Sequence, residues 1–347
     1  MEKSFKTVQK MNELKKQFSD LSKLNYCLLC NKPIDGTCKS HVIPQFVLKN
    51  IAKDGIVMPA FAGKELLPLF IKDSGVKNAG IIKRICPDCD NKDFKKYENP
   101  KILMQKPSDE ILNLIALKTT LRMLDKKLLE KPSNDYVKQK GRFTPLEKFH
   151  DYDKNEWWED LNRLKKVLNG KKFVKYKLVF WSKLEYVVPI ACQTAVSLYG
   201  DLEGHIVNDI FSLDKHKKTQ NLHIAIFPLA ECSIVMMFHY LSDLKYRAFD
   251  IQFEKLSLDE KLSLITYIVI SYTEDYFISP FLANKLTKNS IEAQQIHEIS
   301  NNLHINFCLK EEYEEFKKDE LQELKNRKPM PNLLGIQYAL PVNKFEN

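Results

Sequence analysis

Apolar positions recur at three- and four-residue spacing over some windows of the chain and alternate over others, so the pattern predicts helices and strands together. Phe5, Val8, Met11, Leu14, Phe18 and Leu21 predict an amphipathic helix over 5–24. Pro44 opens a short helix to about Ala52, with Phe46, Val47 and Ile51 inward. Residues 54–80, broken by Gly55, Pro59, Gly63, Pro68, Gly75 and Gly80, read as loop. A strand over 81–85 and a helix over 87–98 follow, stopped by Asn99-Pro100. Ser108, Asp109 and Glu110 start a helix over 108–131 whose stripe is Ile111, Leu114, Ile115, Leu121, Leu124 and Leu128. A lysine-rich linker over 132–143 leads to a helical region over 145–169.

Beyond residue 172 the pattern changes. A strand is expected over 173–181, a hairpin from 187–198 and 205–210, and another from 222–227 and 233–240 about Pro228-Leu229-Ala230-Glu231. Ser257-Leu258-Asp259-Glu260 is a capping box that opens an apolar helix to about Asp275. Helices over 288–302 and 311–326 and an extended, proline-bearing tail complete the reading. The fold class expected is α+β: an N-terminal module over 1–104, a helical connector over 105–172 and a mixed α+β domain over 173–347.

The 347 residues, 44% of them hydrophobic, suffice for two or three domains with a real core. Glycine is scarce, at 10 residues, and no P-loop or dinucleotide fingerprint occurs, which disfavours an NTPase or a Rossmann enzyme. The first residues lack the apolar run of a signal peptide, and the stretch 262–272 is too short to cross a bilayer, so a cytoplasmic protein with no membrane partner is expected. Charge is uneven. Residues 1–200 carry 38 Lys and Arg against 23 Asp and Glu, and residues 201–347 carry 16 against 22. A basic first half suits a polyanionic partner, since neutralised phosphates release counterions.

The candidate chemistry lies in that basic half. Cys27-Leu28-Leu29-Cys30 and Cys86-Pro87-Asp88-Cys89 are two C-x-x-C knuckles, the ligand set of a closed tetrahedral zinc site. In a reducing compartment, paired cysteines favour metal over disulfide. Between the knuckles stands Ser40-His41-Val42-Ile43-Pro44, and Asp90-Asn91 follows the second directly. Lys83, Arg84, Lys92, Lys95 and Lys96 flank that knuckle as candidate phosphate contacts.

This arrangement over residues 25–100 resembles the HNH endonuclease family in its four-cysteine treble-clef form. It also looks like a bacterial group with Ser-His-Ile-Ile-Pro at this place and a closing helix that carries Phe, Tyr and Glu, here Phe94, Tyr97 and Glu98. The resemblance implies a ββα-metal module with structural zinc at Cys27, Cys30, Cys86 and Cys89. It implies His41 as the general base that takes a proton from the water attacking a phosphate. Asp90 stands where the family places a metal-binding Asn or His, Asn91 is one step on, and Glu98 lies two helical turns beyond Asn91. Asp90 and Glu98 would hold a catalytic Mg²⁺ or Mn²⁺. Asn78 is the candidate for orienting His41. Ser40 departs from the pattern, which has a metal-binding acid before the histidine. The function implied is a metal-dependent endonuclease acting on DNA, with RNA as another possible substrate, in a layout that suits a bacterial restriction or phage-defence effector. The rival expectation is a non-catalytic zinc-finger protein that binds nucleic acid or a protein partner. The C-terminal domain is expected to regulate, to form a homo-oligomer or to hold a protein partner.

Overall fold

A computed structural model describes residues 26–34, 39–60, 74–139, 146–168, 173–196, 221–242, 246–273, 276–285 and 332–341, with a few single positions besides. In chain order the first elements are β1 (Ser40–His41), α1 (Gln45–Ile51), β2 (Ile56–Ala60), β3 (Ser74–Gly75), β4 (Ile81–Ile82), α2 (Pro87–Cys89), α3 (Pro100–Leu103), α4 (Asp109–Gln139) and α5 (Leu146–Leu168). They continue as β5 (Tyr176–Leu184), β6 (Ile190–Val196), β7 (Leu222–Pro228), β8 (Ser233–Tyr240), α6 (Arg247–Lys255), α7 (Leu258–Tyr272), β9 (Tyr276–Ile278) and α8 (Pro280–Lys285). The mixture is α+β, as the periodicities predict.

The chain divides into two compact units, each assembled from separated stretches. One comprises Met1–Val42, Ile81–Glu98 and Asp109–Val174, and the other comprises Ile43–Gly80, Asn99–Ser108 and Lys175–Asn347.

In the first unit, β1 and β4 pair antiparallel, Ser40 opposite Ile82 and His41 opposite Ile81. Beside them α4 and α5 pack on each other. Leu114, Ile115, Leu121 and Leu124 of the stripe read for α4 are buried, as is Leu117, while Ile111 and Leu128 of that stripe are half-buried; Trp157, Leu161 and Leu164 of α5 are buried as well. Helix α4 runs through Pro132 to Gln139, so the first part of the expected linker is helical. The closing helix differs from its expectation. Helix α2 passes into a π-helical turn, Asp90–Phe94, which buries Phe94 and Tyr97 edge to face at 6.3 Å. Of the helix expected over 5–24, only Glu13, Gln17 and Asp20 are described, all helical and exposed.

The second unit is built on a seven-stranded sheet in the order β3-β2-β9-β6-β7-β8-β5, every neighbouring pair antiparallel. Side chains of a strand alternate between faces. Ile190, Cys192 and Val196 of β6, Leu222, Ile224 and Ile226 of β7, and Val235 and Met237 of β8 thus share one face. That face packs with Phe249 and Phe253 of α6 and Leu262, Ile265 and Val269 of α7. Helix α7 starts where the capping box puts it. The Ser257 hydroxyl accepts from the Glu260 N–H at 3.3 Å, and Glu260 accepts from the Ser257 N–H at 2.8 Å. Its interior Thr266 donates to the Leu262 carbonyl at 2.8 Å, which satisfies that buried hydroxyl. The β7–β8 hairpin appears about Pro228-Leu229-Ala230-Glu231, as expected from the sequence.

Several elements depart from the sequence reading here. Residues 54–80 are not all loop, because Ile56–Ala60 is a strand that enters the sheet between β3 and β9. Helix α6 and strand β9 also form where no element was expected. The second strand of the 187–210 hairpin and the helices over 288–302 and 311–326 lie outside the described residues. In the tail, Leu333 and Leu334 are buried, and the Leu340 N–H donates to the Val187 carbonyl at 2.8 Å. Among the described residues no helix is long and apolar enough to cross a membrane.

Candidate metal centre

The first knuckle turns tightly. The Asn31 N–H returns to the Cys27 carbonyl at 2.9 Å, and Asn31 itself takes φ 58°, a left-handed conformation that asparagine tolerates. The second knuckle is the first turn of α2, with Cys86 at its N-cap accepting from the Cys89 N–H at 3.5 Å. The two come together because the Leu28 N–H donates to the Arg84 carbonyl at 2.9 Å, while the Cys27 N–H closes the first knuckle on the Lys32 carbonyl at 2.8 Å.

All four sulfurs, of Cys27, Cys30, Cys86 and Cys89, lie within 4.8 Å of one another. Cys30 and Cys86 are 3.8 Å apart at sulfur, far beyond a disulfide bond. A tetrahedral ion with zinc–sulfur bonds of about 2.3 Å separates its sulfurs by about 3.8 Å. Backbone N–H groups already point at the sulfurs: Leu29 donates to Cys27 Sγ at 3.4 Å and Cys86 donates to the same atom at 3.3 Å. Such donors stabilise thiolates rather than thiols. Burial, and after it hydrogen bonding with Cys86, pushes the Cys89 thiol well above its ordinary range, and a bound cation reverses that balance. The donor set fits, and the four cysteines could hold a metal ion such as zinc.

A second cluster adjoins the second knuckle. The Ser40 hydroxyl, on a fully buried residue of β1, donates to Asp90 Oδ1 at 2.5 Å. Lys118, from the middle of α4, brings its ammonium to Asp90 Oδ1 at 3.1 Å and into contact with Glu98 Oε1. The same Nζ lies 4.6 Å from the Phe94 ring centroid, and Lys118 is only 1% exposed. Asp90 and Glu98 are thus brought together, as a shared cation site requires. They meet at i and i+8 because the π turn spends an extra residue, and Asn91, expected on that face, is exposed.

These acids do not fit a catalytic Mg²⁺ or Mn²⁺ as they stand. One ammonium already pairs with both, and a divalent ion about 4 Å from it would be repelled by that ammonium by roughly 8 kcal/mol at an effective dielectric near 20. Hard divalent ions also need open oxygen ligands, and one oxygen of Asp90 already takes both the Ser40 hydroxyl and the ammonium.

The remaining expected residues are dispersed. His41 follows Ser40 on β1 and is half-buried. Asn78 is exposed at the end of a short turn, Val76–Asn78, in the second unit. Lys83, Lys92 and Lys95 are exposed, and Lys96 is ion-paired with Glu110 at 2.6 Å on the surface. Arg84, expected among the phosphate contacts, is instead buried with its guanidinium against the Asp125 carboxylate. Burial lowers it to about 10, which leaves it charged at neutral pH and confined to the interior.

Sequence reasoning missed Lys118, Arg122 and Asp125. Their signal was present. Lys118 falls four residues after Leu114 and three before Leu121, in the apolar stripe of α4, where an unpartnered charge would be costly. A lysine on a buried stripe asks for acids elsewhere in the fold, and those acids are Asp90 and Glu98. Comparison with protein-family models, with curated proteins and with solved structures finds no match to this chain.

Proposed function

We propose that the first unit is a zinc-built, HNH-like treble-clef module that hydrolyses phosphodiester bonds in DNA, with His41 as its general base. The single observation that carries this reading is the meeting of Ser40, the residue before His41, with Asp90, the residue after the second knuckle, at 2.5 Å. Those are the two positions that hold the catalytic metal in the family this sequence resembles. Zinc at the four cysteines is structural and holds the knuckles together. His41 takes the proton of a water whose oxygen attacks phosphorus, and the bond from phosphorus to the leaving oxygen breaks. Lys83, Lys92 and Lys95 supply exposed positive charge for the flanking phosphates, in keeping with the basic first half. The second unit is the candidate surface for a protein partner or a second copy.

One observation favours the other reading, a zinc module that grips nucleic acid without cleaving it. Asp90 is already satisfied by Ser40 and Lys118. Incubation of supercoiled plasmid with the zinc-loaded protein, with and without Mg²⁺ or Mn²⁺, decides between them. Nicking or linearisation that disappears in His41→Ala while DNA binding persists is the expected result. Binding without cleavage of DNA or RNA under every condition would replace the nuclease by the clamp.

A further inference from the structure

We propose that Lys118 is the resident cation of the Asp90–Glu98 pair, a built-in ammonium standing where a second metal ion would otherwise sit. The inference deepens the nuclease reading, because it concerns the same pair of acids.

Four observations converge on it. Lys118 is 1% exposed, whereas ordinary surface lysines keep their ammonium in water. Its Nζ touches both carboxylates and lies over the face of Phe94, so the charge is met on three sides from the α2 region. Its stem leaves α4 between buried Ile115 and Leu121, which fixes where the ammonium ends. Asp90 turns the same oxygen to the Ser40 hydroxyl and to Lys118, so the amine nitrogen sits between the carboxylates of residues 90 and 98 while Ser40 holds the shared Asp90 oxygen in place. The exposed Lys96–Glu110 pair shows none of this enclosure. Two carboxylates about one point offer oxygen ligands to a hard cation. What keeps a divalent ion out is the lysine, and removal of the amine opens the place to one.

The test is a Mn²⁺ titration of the zinc-loaded full chain, followed by the paramagnetic resonance signal of free Mn²⁺. The wild-type protein is expected to leave that signal unquenched. Lys118→Met keeps the apolar stem and removes the charge. It is expected to bind one Mn²⁺ at least about tenfold more tightly than wild type, the least that loss of a neighbouring like charge should give. The double variant Lys118→Met with Asp90→Asn is expected to lose that binding. Because removal of a buried charge can weaken the fold, melting of Lys118→Met is measured with and without Mn²⁺, and stabilisation by Mn²⁺ in that variant alone supports the proposal. Stoichiometric Mn²⁺ binding by wild type that Asp90→Asn or Glu98→Gln abolishes would overturn it. So would a Lys118→Met protein that neither binds Mn²⁺ nor is stabilised by it. None of these readouts involves DNA, so a failed nuclease reading and a failed cation assignment remain distinguishable.

Discussion

At the scale of single residues, the fold treats its buried polar groups in two ways. Asp250 is provided for. Burial alone would raise its carboxyl, but hydrogen bonds from His239 at 3.1 Å and Lys177 at 2.7 Å, and their charges, hold it below the ordinary carboxylate range. His223 is not provided for. It is 1% exposed, stacked on Phe238 at 4.9 Å, and neither ring nitrogen has a hydrogen-bond partner among the described residues. Burial, and after it the charge of His239, drives its pKa down to about 3. A histidine depressed in the folded state stays neutral there while the unfolded chain takes up a proton below about 6.5. Its contribution to stability is therefore intact above about pH 6.5 and falls as pH drops toward 3, at no more than about 1.4 kcal/mol per pH unit. His223→Phe should flatten that part of the stability–pH curve and raise stability at pH 5 by roughly 1–3 kcal/mol, because two unsatisfied nitrogens disappear. Urea melts at pH 5 and pH 7.5 measure both. An unchanged pH dependence in the variant would mean that the acid sensitivity resides elsewhere.

At the scale of elements, what was legible was local. The cysteine spacing, the capping box at Ser257 and the apolar runs 222–227 and 233–240 about Pro228-Leu229-Ala230-Glu231 each depend on near neighbours, and each appears in the structure as read. Ser257→Ala should cost about 1 kcal/mol by chemical denaturation, the usual worth of such a cap. A loss below a few tenths would show that packing alone starts α7. What was not legible depended on distant partners. Strand β2 carries Pro59 within glycine-rich surroundings and reads as loop. It is a strand because β9, more than two hundred residues on, pairs with Met58, Pro59 and Ala60, while β3 pairs only with Ile56 and Val57. Proline cannot donate to a ladder, and past Val57 no described strand on the β3 side needs that donor. Strand β9 is only three residues long, too short for any period to mark it. The closing helix of the knuckle was legible as a helix but not as a π turn, and that one-residue difference brings Asp90 rather than Asn91 to Glu98. The candidate site divides the same way. The four cysteines are written in the sequence, whereas Lys118 and Asp125 acquire meaning only once α4 lies against the knuckle and β4.

At the scale of the whole molecule, the chain returns to each unit several times: α1, β2 and β3 belong with the sheet, while β1 and β4, which flank them in sequence, belong with the knuckles. The first unit therefore needs something to hold residues 26–34 to 81–98 across that excursion, and the four cysteines lie at the junction. Closing so long a loop is entropically costly, which is where a metal clip contributes most. The most direct measurement is the metal content of the purified protein, by native mass spectrometry under reducing conditions, beside Cys30→Ser. The account predicts one zinc ion per chain in the wild type, lost in the variant together with the cooperative melting of the first unit. A metal-free wild-type protein that melts as cooperatively as a zinc-loaded one would contradict it.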